Sequence, residues 1–221
     1  MKSYVFIKSS SKFLIYFCLV SLFAAGGLYI SKQNAVDASS SCGVGLYKQW
    51  DSRWGGVSYV QGFMADVTKK NRNTGKTETT KQPATIATSG CGPTSLAMVV
   101  NYLSYRYYSG SGKPEDIEPQ DTAAFCYAVK ARTNGGGTSS SCFKEYAQRK
   151  GYKYETISRS DTAKIKAVLG KGMPLIALVG PGHDNKYTFG GHYIVLYGIS
   201  GNNVLIHDPN HNSTLVKTLP I

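Results

Sequence analysis

Two short segments far apart in the chain set the strictest condition on its fold, because one reads as the start of a helix, the other as the start of a strand, and they carry a matched pair of reactive side chains. The first is Ser89-Gly90-Cys91-Gly92-Pro93-Thr94-Ser95 and the second is Gly190-Gly191-His192-Tyr193-Ile194-Val195-Leu196. After the first, Leu96, Val99, Val100 and Leu103 fall at i, i+3, i+4 and i+7, the spacing of one apolar helical stripe. Pro93 fits the first turn, where it forfeits no hydrogen bond and its fixed φ is already helical. Cys91 is therefore expected just before or within that turn, where unpaired backbone N–H groups and the positive end of the helix dipole stabilise an anion.

A thiol profits most from that position. A helix N-terminus and a neighbouring imidazolium lower a cysteine pKa from about 8.5 toward roughly 3.5–7.5. Gly90 and Gly92 are read as leaving room for a substrate backbone to approach the sulfur. Tyr193 to Ile199 and Val204 to Asp208 are β-rich and separated by Ser200-Gly201-Asn202-Asn203, which predicts a hairpin. His192 opens the first strand and Asp208 closes the second, so both come to one end of that hairpin. They share a face only if even-numbered residues pair with even-numbered ones, and a slip of one residue would turn the carboxylate away. In that register Asp208 accepts a bond from one imidazole nitrogen, and the other nitrogen is free to take the thiol proton.

A lone buried cysteine or a lone hairpin histidine is usually structural; the helix-start cysteine joined to a downstream His and Asp is what argues for chemistry. His207 points to the opposite face from Asp208, and Pro209 breaks any helix that could make His207 and His211 a zinc pair. His183 is read as an exposed loop histidine. No metal set or cofactor motif is expected.

Tyr47-Lys48-Gln49-Trp50-Asp51-Ser52-Arg53-Trp54, Thr85-Ile86, Gly90-Cys91-Gly92-Pro93-Thr94-Ser95-Leu96-Ala97-Met98, Gly191-His192-Tyr193 and Asp208-Pro209 run in one order along the chain. In this the chain resembles the C39-like family of cysteine peptidases. The resemblance implies a papain-like fold, with Cys91 as nucleophile, His192 as general base and acid, and Asp208 as the residue that orients it. Relatives of this kind carry a glutamine shortly before the cysteine, where this chain has Thr85-Ile86-Ala87-Thr88-Ser89. Of the upstream candidates Gln49, Gln61 and Gln82, Gln49 is favoured as the oxyanion donor because it belongs to the family-like Gln-Trp-Asp segment. Its competing reading is a loop cap or bridge. Trp50 and Trp54 are read as core or cleft-wall packing.

Lys2, Lys8 and Lys12 precede an uncharged apolar run from Phe13 to Ile30, and small residues follow at Val36-Asp37-Ala38. This is the layout of an export segment, either a signal peptide cleaved after Ala38 or a retained membrane anchor. Either form puts the remaining domain, residues 39–221, outside the cytoplasm. That domain carries 21 basic and 12 acidic residues, a net charge of +9, which suits anionic surface polymers or a membrane surface. No stacking motif or helix-turn-helix pattern accompanies the charge, so specific nucleic-acid binding is not expected. Much of the excess lies in Lys69, Lys70, Arg72, Lys76 and Lys81, within a Thr- and Asn-rich stretch at about 66–82 that is read as a mobile basic insertion.

Helices are expected near Gln120–Ala131, Cys142–Lys150 and from a Ser160 or Asp161 cap to Leu169, with strands at Tyr152–Ile157 and Pro174–Val179. Helices thus gather early and strands late, an α+β pattern in which an N-terminal helix carrying the cysteine packs on a C-terminal antiparallel sheet carrying His and Asp. With Cys18 in the apolar run and Cys91 held free, Cys42, Cys126 and Cys142 remain. Cys126 with Cys142 is the preferred bridge, and pairings through Cys42 stay open. Three functions fit these residues: a peptidase acting on peptide or protein substrates, including wall-linked ones; a wall amidase or transpeptidase using the same thiol chemistry; and a non-catalytic surface-binding module on a peptidase fold.

Overall fold

The computed structural model describes residues 2–8, 43–70, 74–107, 114–132, 134, 136–180, 190–210 and 215–217. Its architecture is mixed helix and antiparallel sheet, consistent with a papain-like peptidase fold. In chain order the elements are β1 (Lys2–Lys8), β2 (Met64–Lys70), β3 (Thr77–Pro83), α1 (Ile86–Ser89), α2 (Cys91–Arg106), α3 (Pro119–Ala128), α4 (Ser141–Arg149), β4 (Tyr152–Ser158), α5 (Thr162–Gly170), β5 (Leu175–Val179), β6 (His192–Ser200), β7 (Asn203–His207) and β8 (Leu215–Lys217). Six strands form the main sheet in the order β4-β1-β5-β6-β7-β8, every neighbouring pair antiparallel, while β2 and β3 stand apart as a two-stranded hairpin.

Alternation along the strands divides the core in two. Tyr193, Val195 and Tyr197 of β6 turn toward the cluster that holds α2, α3 and α4, whereas Ile194 and Leu196 turn toward the cluster under α5. The α2 helix is more central than a single apolar stripe implies: every residue from Gly92 to Val100 is buried, with Leu103 a turn further on. Its first turn is fastened laterally, since the Thr122 hydroxyl of α3 donates to Pro93 O at 2.8 Å. The α5 start is capped by Asp161, whose side chain accepts from the Lys164 N–H.

Several expectations change here. Strands do not gather only late, because β1, β2 and β3 all precede the cysteine helix. The stretch read as a mobile insertion is mostly an antiparallel hairpin with Val67 opposite Thr80 and Thr68 opposite Thr79. Its β3 strand is exposed along nearly its whole length, so no apolar alternation betrayed it, whereas its run of threonines suits a strand. Trp54 is buried and donates from Nε1 to Lys48 O at 2.7 Å, but Trp50 is 47% exposed and packs in no core. Lys2–Lys8, read as the charged start of an export segment, is laid between β4 and β5. A strand there needs the N-terminus on the same side of any membrane as the rest of the sheet, so export through this segment requires β1 to leave it. The apolar run, Ala38, Cys18, Cys42, His183 and His211 lie outside the described residues. Among those described, no helix is long and apolar enough to cross a membrane.

Cys126 of α3 and Cys142 of α4 form a disulfide, and both are fully buried. The bridge closes the loop through Ala131–Ser140. Replacing both cysteines by alanine should lower stability by about 2–4 kcal/mol in urea unfolding, since the denatured chain regains the freedom of a loop of this length; an unchanged midpoint would mean that the α3–α4 packing alone holds the loop.

Candidate active site

Gly90 ends α1 and caps the start of α2, which makes Cys91 the first residue of the long helix. Gly90 N donates to Ile86 O at 2.8 Å, and a Cβ at Gly90 would lie 2.5 Å from that same oxygen. A Cβ at Gly92 would lie 2.7 Å from Thr138 Cβ. Both glycines are therefore demanded by the chain's own packing around the cysteine, a correction to reading them as space left for substrate.

At the sheet end the β6–β7 hairpin turns through Gly201-Asn202, with Gly201 at φ +56°. From the turn outward the strands pair Ser200 with Asn203, Ile199 with Val204 and Gly198 with Leu205. Continued unchanged, that register would set Asp208 opposite Val195 and on the wrong face. A bulge at Tyr197 takes up one residue, after which Leu196 pairs with Ile206 and Val195 with His207. The same register carried on brings Asp208 opposite Ile194, on the face of His192. His192 Nε2 lies 2.7 Å from Asp208 Oδ1, both side chains buried, and Asp208 Oδ1 also accepts the Asn210 N–H at 2.8 Å. This leaves Nδ1 of His192 for the Cys91 thiol, with which its side chain is hydrogen-bonded.

Burial pushes the Cys91 thiol up, but the His192 hydrogen bond and charge, with backbone hydrogen bonds at Tyr193 and Gly92, outweigh it and hold the thiol below the ordinary cysteine value. For His192 burial favours the neutral ring, and the bonds to Asp208 and Cys91 overcome it, so its pKa is raised well above the usual histidine range. The two shifts are opposed, each group favouring the charged form of the other. His207, on the opposite face, donates from Nε2 to Val44 O at 2.7 Å and stacks on Tyr197 with ring centroids 4.0 Å apart, and burial lowers its pKa.

Cys91 and His192 open into a cleft of about 470 Å³. Gln49 reaches the same cleft: it is buried, its backbone N–H donates to Pro209 O at 2.8 Å beside Asp208, and its Nε2 donates to Ala87 O at 2.6 Å. That bond uses one of the two Nε2 hydrogens, and among the described residues Oε1 has no partner. Gln82 sits on β3 and Gln61 is exposed; neither reaches the cleft.

A family model described as Peptidase_C39 like family matches residues 64–220, well over half of the chain. The chain belongs to this family. The matched range covers Cys91, His192 and Asp208, while Gln49 lies before it. No curated protein and no solved structure matches the chain.

The residues that brace Cys91 were not legible as site residues. Thr138 fills the space above Gly92 and exchanges a 2.7 Å hydrogen bond with Tyr59. Arg132 is buried, donates to Gly136 O and to Ser89 Oγ, and lays its guanidinium 4.7 Å from the Tyr59 ring centroid. All of these belong to, or touch, the loop closed by the disulfide. The only sequence signal was that loop's glycine run between two cysteines, which marks a turn and says nothing about what the turn leans on.

Two outcomes follow from this geometry. The rate of Cys91 alkylation by iodoacetamide should rise with pH through a midpoint below that of a free cysteine, and in His192→Ala the midpoint should move upward, because burial then acts without the opposing partner; an unmoved midpoint would mean that the helix start alone sets the thiol. Gly92→Ala should destabilise the domain by about 1–3 kcal/mol through overpacking, and Thr138→Gly in the same chain should recover part of the loss in thermal melts.

Proposed function

We propose that this chain is an exported cysteine peptidase of the C39-like family that hydrolyses peptide bonds through Cys91, His192 and Asp208, with Gln49 as a side-chain oxyanion donor. The observation that carries the reading is the unbroken chain of contacts from Asp208 through His192 to a helix-start cysteine at the floor of an open cleft. The Cys91 thiolate attacks the carbonyl carbon, and the carbonyl π pair moves to oxygen. That oxyanion is met by the Cys91 N–H at the helix start and by the second Nε2 hydrogen of Gln49. The imidazolium of His192 gives its proton to the departing amine as the C–N bond breaks, leaving a thioester on Cys91. Water then attacks the thioester, His192 takes the water's proton, and the acid leaves as the thiol is re-formed.

Asp208 keeps the imidazole turned toward the sulfur through its bond to Nε2. The location outside the cytoplasm is supported by the buried Cys126–Cys142 bridge, since disulfides persist in oxidising compartments, and by the lysine-then-apolar layout of the N-terminal segment. The basic surface suits contact with anionic wall polymers or lipid head groups.

The reading is tested by incubating the purified protein with peptides and with wall fragments and weighing the products. Cys91→Ala should give no product while keeping its fold, and His192→Ala should fall to near background. Asp208→Asn should keep part of the activity. Gln49→Ala should lower kcat by roughly 10²- to 10³-fold with little change in KM, because an oxyanion donor acts when charge develops; a change confined to KM would return Gln49 to a bridging role.

A further inference from the structure

The cleft beside Cys91 has an unusual wall. Ala65, Asp66, Val67 and Thr68 of β2 all line it, although successive side chains of a strand point to opposite faces. Four consecutive residues can border one space only if the strand presents its edge, with its main-chain groups, rather than a face. Among the described residues β2 pairs with β3 alone.

Which main-chain groups face the cleft follows from two hydrogen bonds. Ala84 N donates to Phe63 O at 2.9 Å, which puts the odd-numbered residues of this segment in bonded pairs with the β3 side. Met64 N turns the other way, donating to Asn134 Oδ1 at 3.1 Å, and its partner Pro83 has no N–H to offer. Asp66 and Thr68 share the phase of Met64. Their N–H and C=O groups therefore point outward from the hairpin, two residues and about 7 Å apart, on the side where Asn134 leads into the Gly136-Gly137 loop. Opposite them the cleft is bordered by Gly136, Gly137, Gly190 and Gly191, which put no side chains in the way.

Building on the peptidase reading, we propose that the outer edge of β2 is the docking strand for the substrate: an extended polypeptide segment adds to the hairpin as a third strand, bonding to the main chain of Asp66 and Thr68, and is thereby drawn along the cleft past Cys91. The occupant is an unfolded or extended stretch of chain and not a compact side-chain cross-link, because only a regular backbone can answer donors and acceptors at this repeat. Affinity comes from backbone bonds, and the glycine wall accommodates the peptide's main chain closely.

The test uses the full chain carrying Cys91→Ala, immobilised and offered a random decapeptide library, with a retained peptide resynthesised carrying one N-methyl group at each backbone position in turn. Binding should weaken by about 3- to 10-fold at alternate amides over a stretch of three or four residues. Asp66→Pro, which removes an outward N–H without taking a ladder bond, should weaken it similarly, whereas Asp66→Asn, which keeps that N–H, should not. Retention of no peptide, or N-methyl effects without a period of two, would overturn the docking strand, and the peptide scan decides even where the proline variant fails to fold. Cleavage by the unsubstituted protein without that periodicity would leave the peptidase reading standing alone, while periodic binding without cleavage would leave the docking strand standing alone.

Discussion

The hydrogen bond between His192 and Asp208 places a demand on the sheet that local chemistry does not meet. The two-residue turn at Gly201-Asn202 starts the hairpin in a register that would carry Asp208 past the histidine on the far face, and only the extra residue at Tyr197 brings it back. The bulge is held from both sides. Tyr197 stacks on His207, and His207 is anchored to Val44 O, so the residue that corrects the register is itself part of the core on the α2 side. Once Asp208 faces His192, the ring is oriented, Nδ1 meets the thiol, and the opposed shifts of the two groups follow.

The cysteine is positioned by an independent route. Gly90 and Gly92 have neighbours where a Cβ would stand, and the second of these neighbours is Thr138, on the loop closed by Cys126–Cys142. Arg132 ties the same loop to Ser89 and Gly136. Its guanidinium is buried against Tyr59 rather than exposed, and desolvation lowers its pKa, a cost offset in part by Tyr59 and Cys91. The sheet thus sets the histidine and the disulfide loop sets the sulfur, so an error in either leaves the other intact but without its partner.

This division explains what the sequence disclosed. Helix and strand positions from Pro119 to His207 were legible because their apolar spacing, the Asp161 cap and the Gly201 turn act locally. The pairing of Cys126 with Cys142 was legible as a preference, from the cysteines left over and the glycine-rich loop that the bridge would close, and the structure forms it. Cys91, His192 and Asp208 stood out by residue type and order, yet the bulge that unites two of them leaves no local mark, since it balances a turn against a stacking contact across the sheet. The β2–β3 hairpin was obscured for the opposite reason: β3 buries almost nothing, so the period-two pattern that announces a strand is missing. Gly90 and Gly92 were noticed, but a sequence cannot say whether an empty Cβ position is filled by a substrate or by Thr138.

That hairpin also shows how a polar segment can have a defined place without a core of its own. It is tethered at its base, where Ala84 N meets Phe63 O, Tyr59 N meets Ala84 O and Met64 N meets Asn134. Further out it carries the Lys81–Asp66 pair, which at this exposure contributes little stability. A strand edge left open is ordinarily a hazard, since it recruits any extended chain with free backbone groups. Beside a reactive thiol the same property would become selective. If the edge docks substrate, its main-chain groups would bind only a backbone that is itself extended, and folded protein, whose backbone groups are already paired, would be turned away before its carbonyls reached Cys91. A cleft built in this way would choose among substrates by conformation first and by side chain second, the four glycines of its wall leaving room for a main chain beside the strand edge.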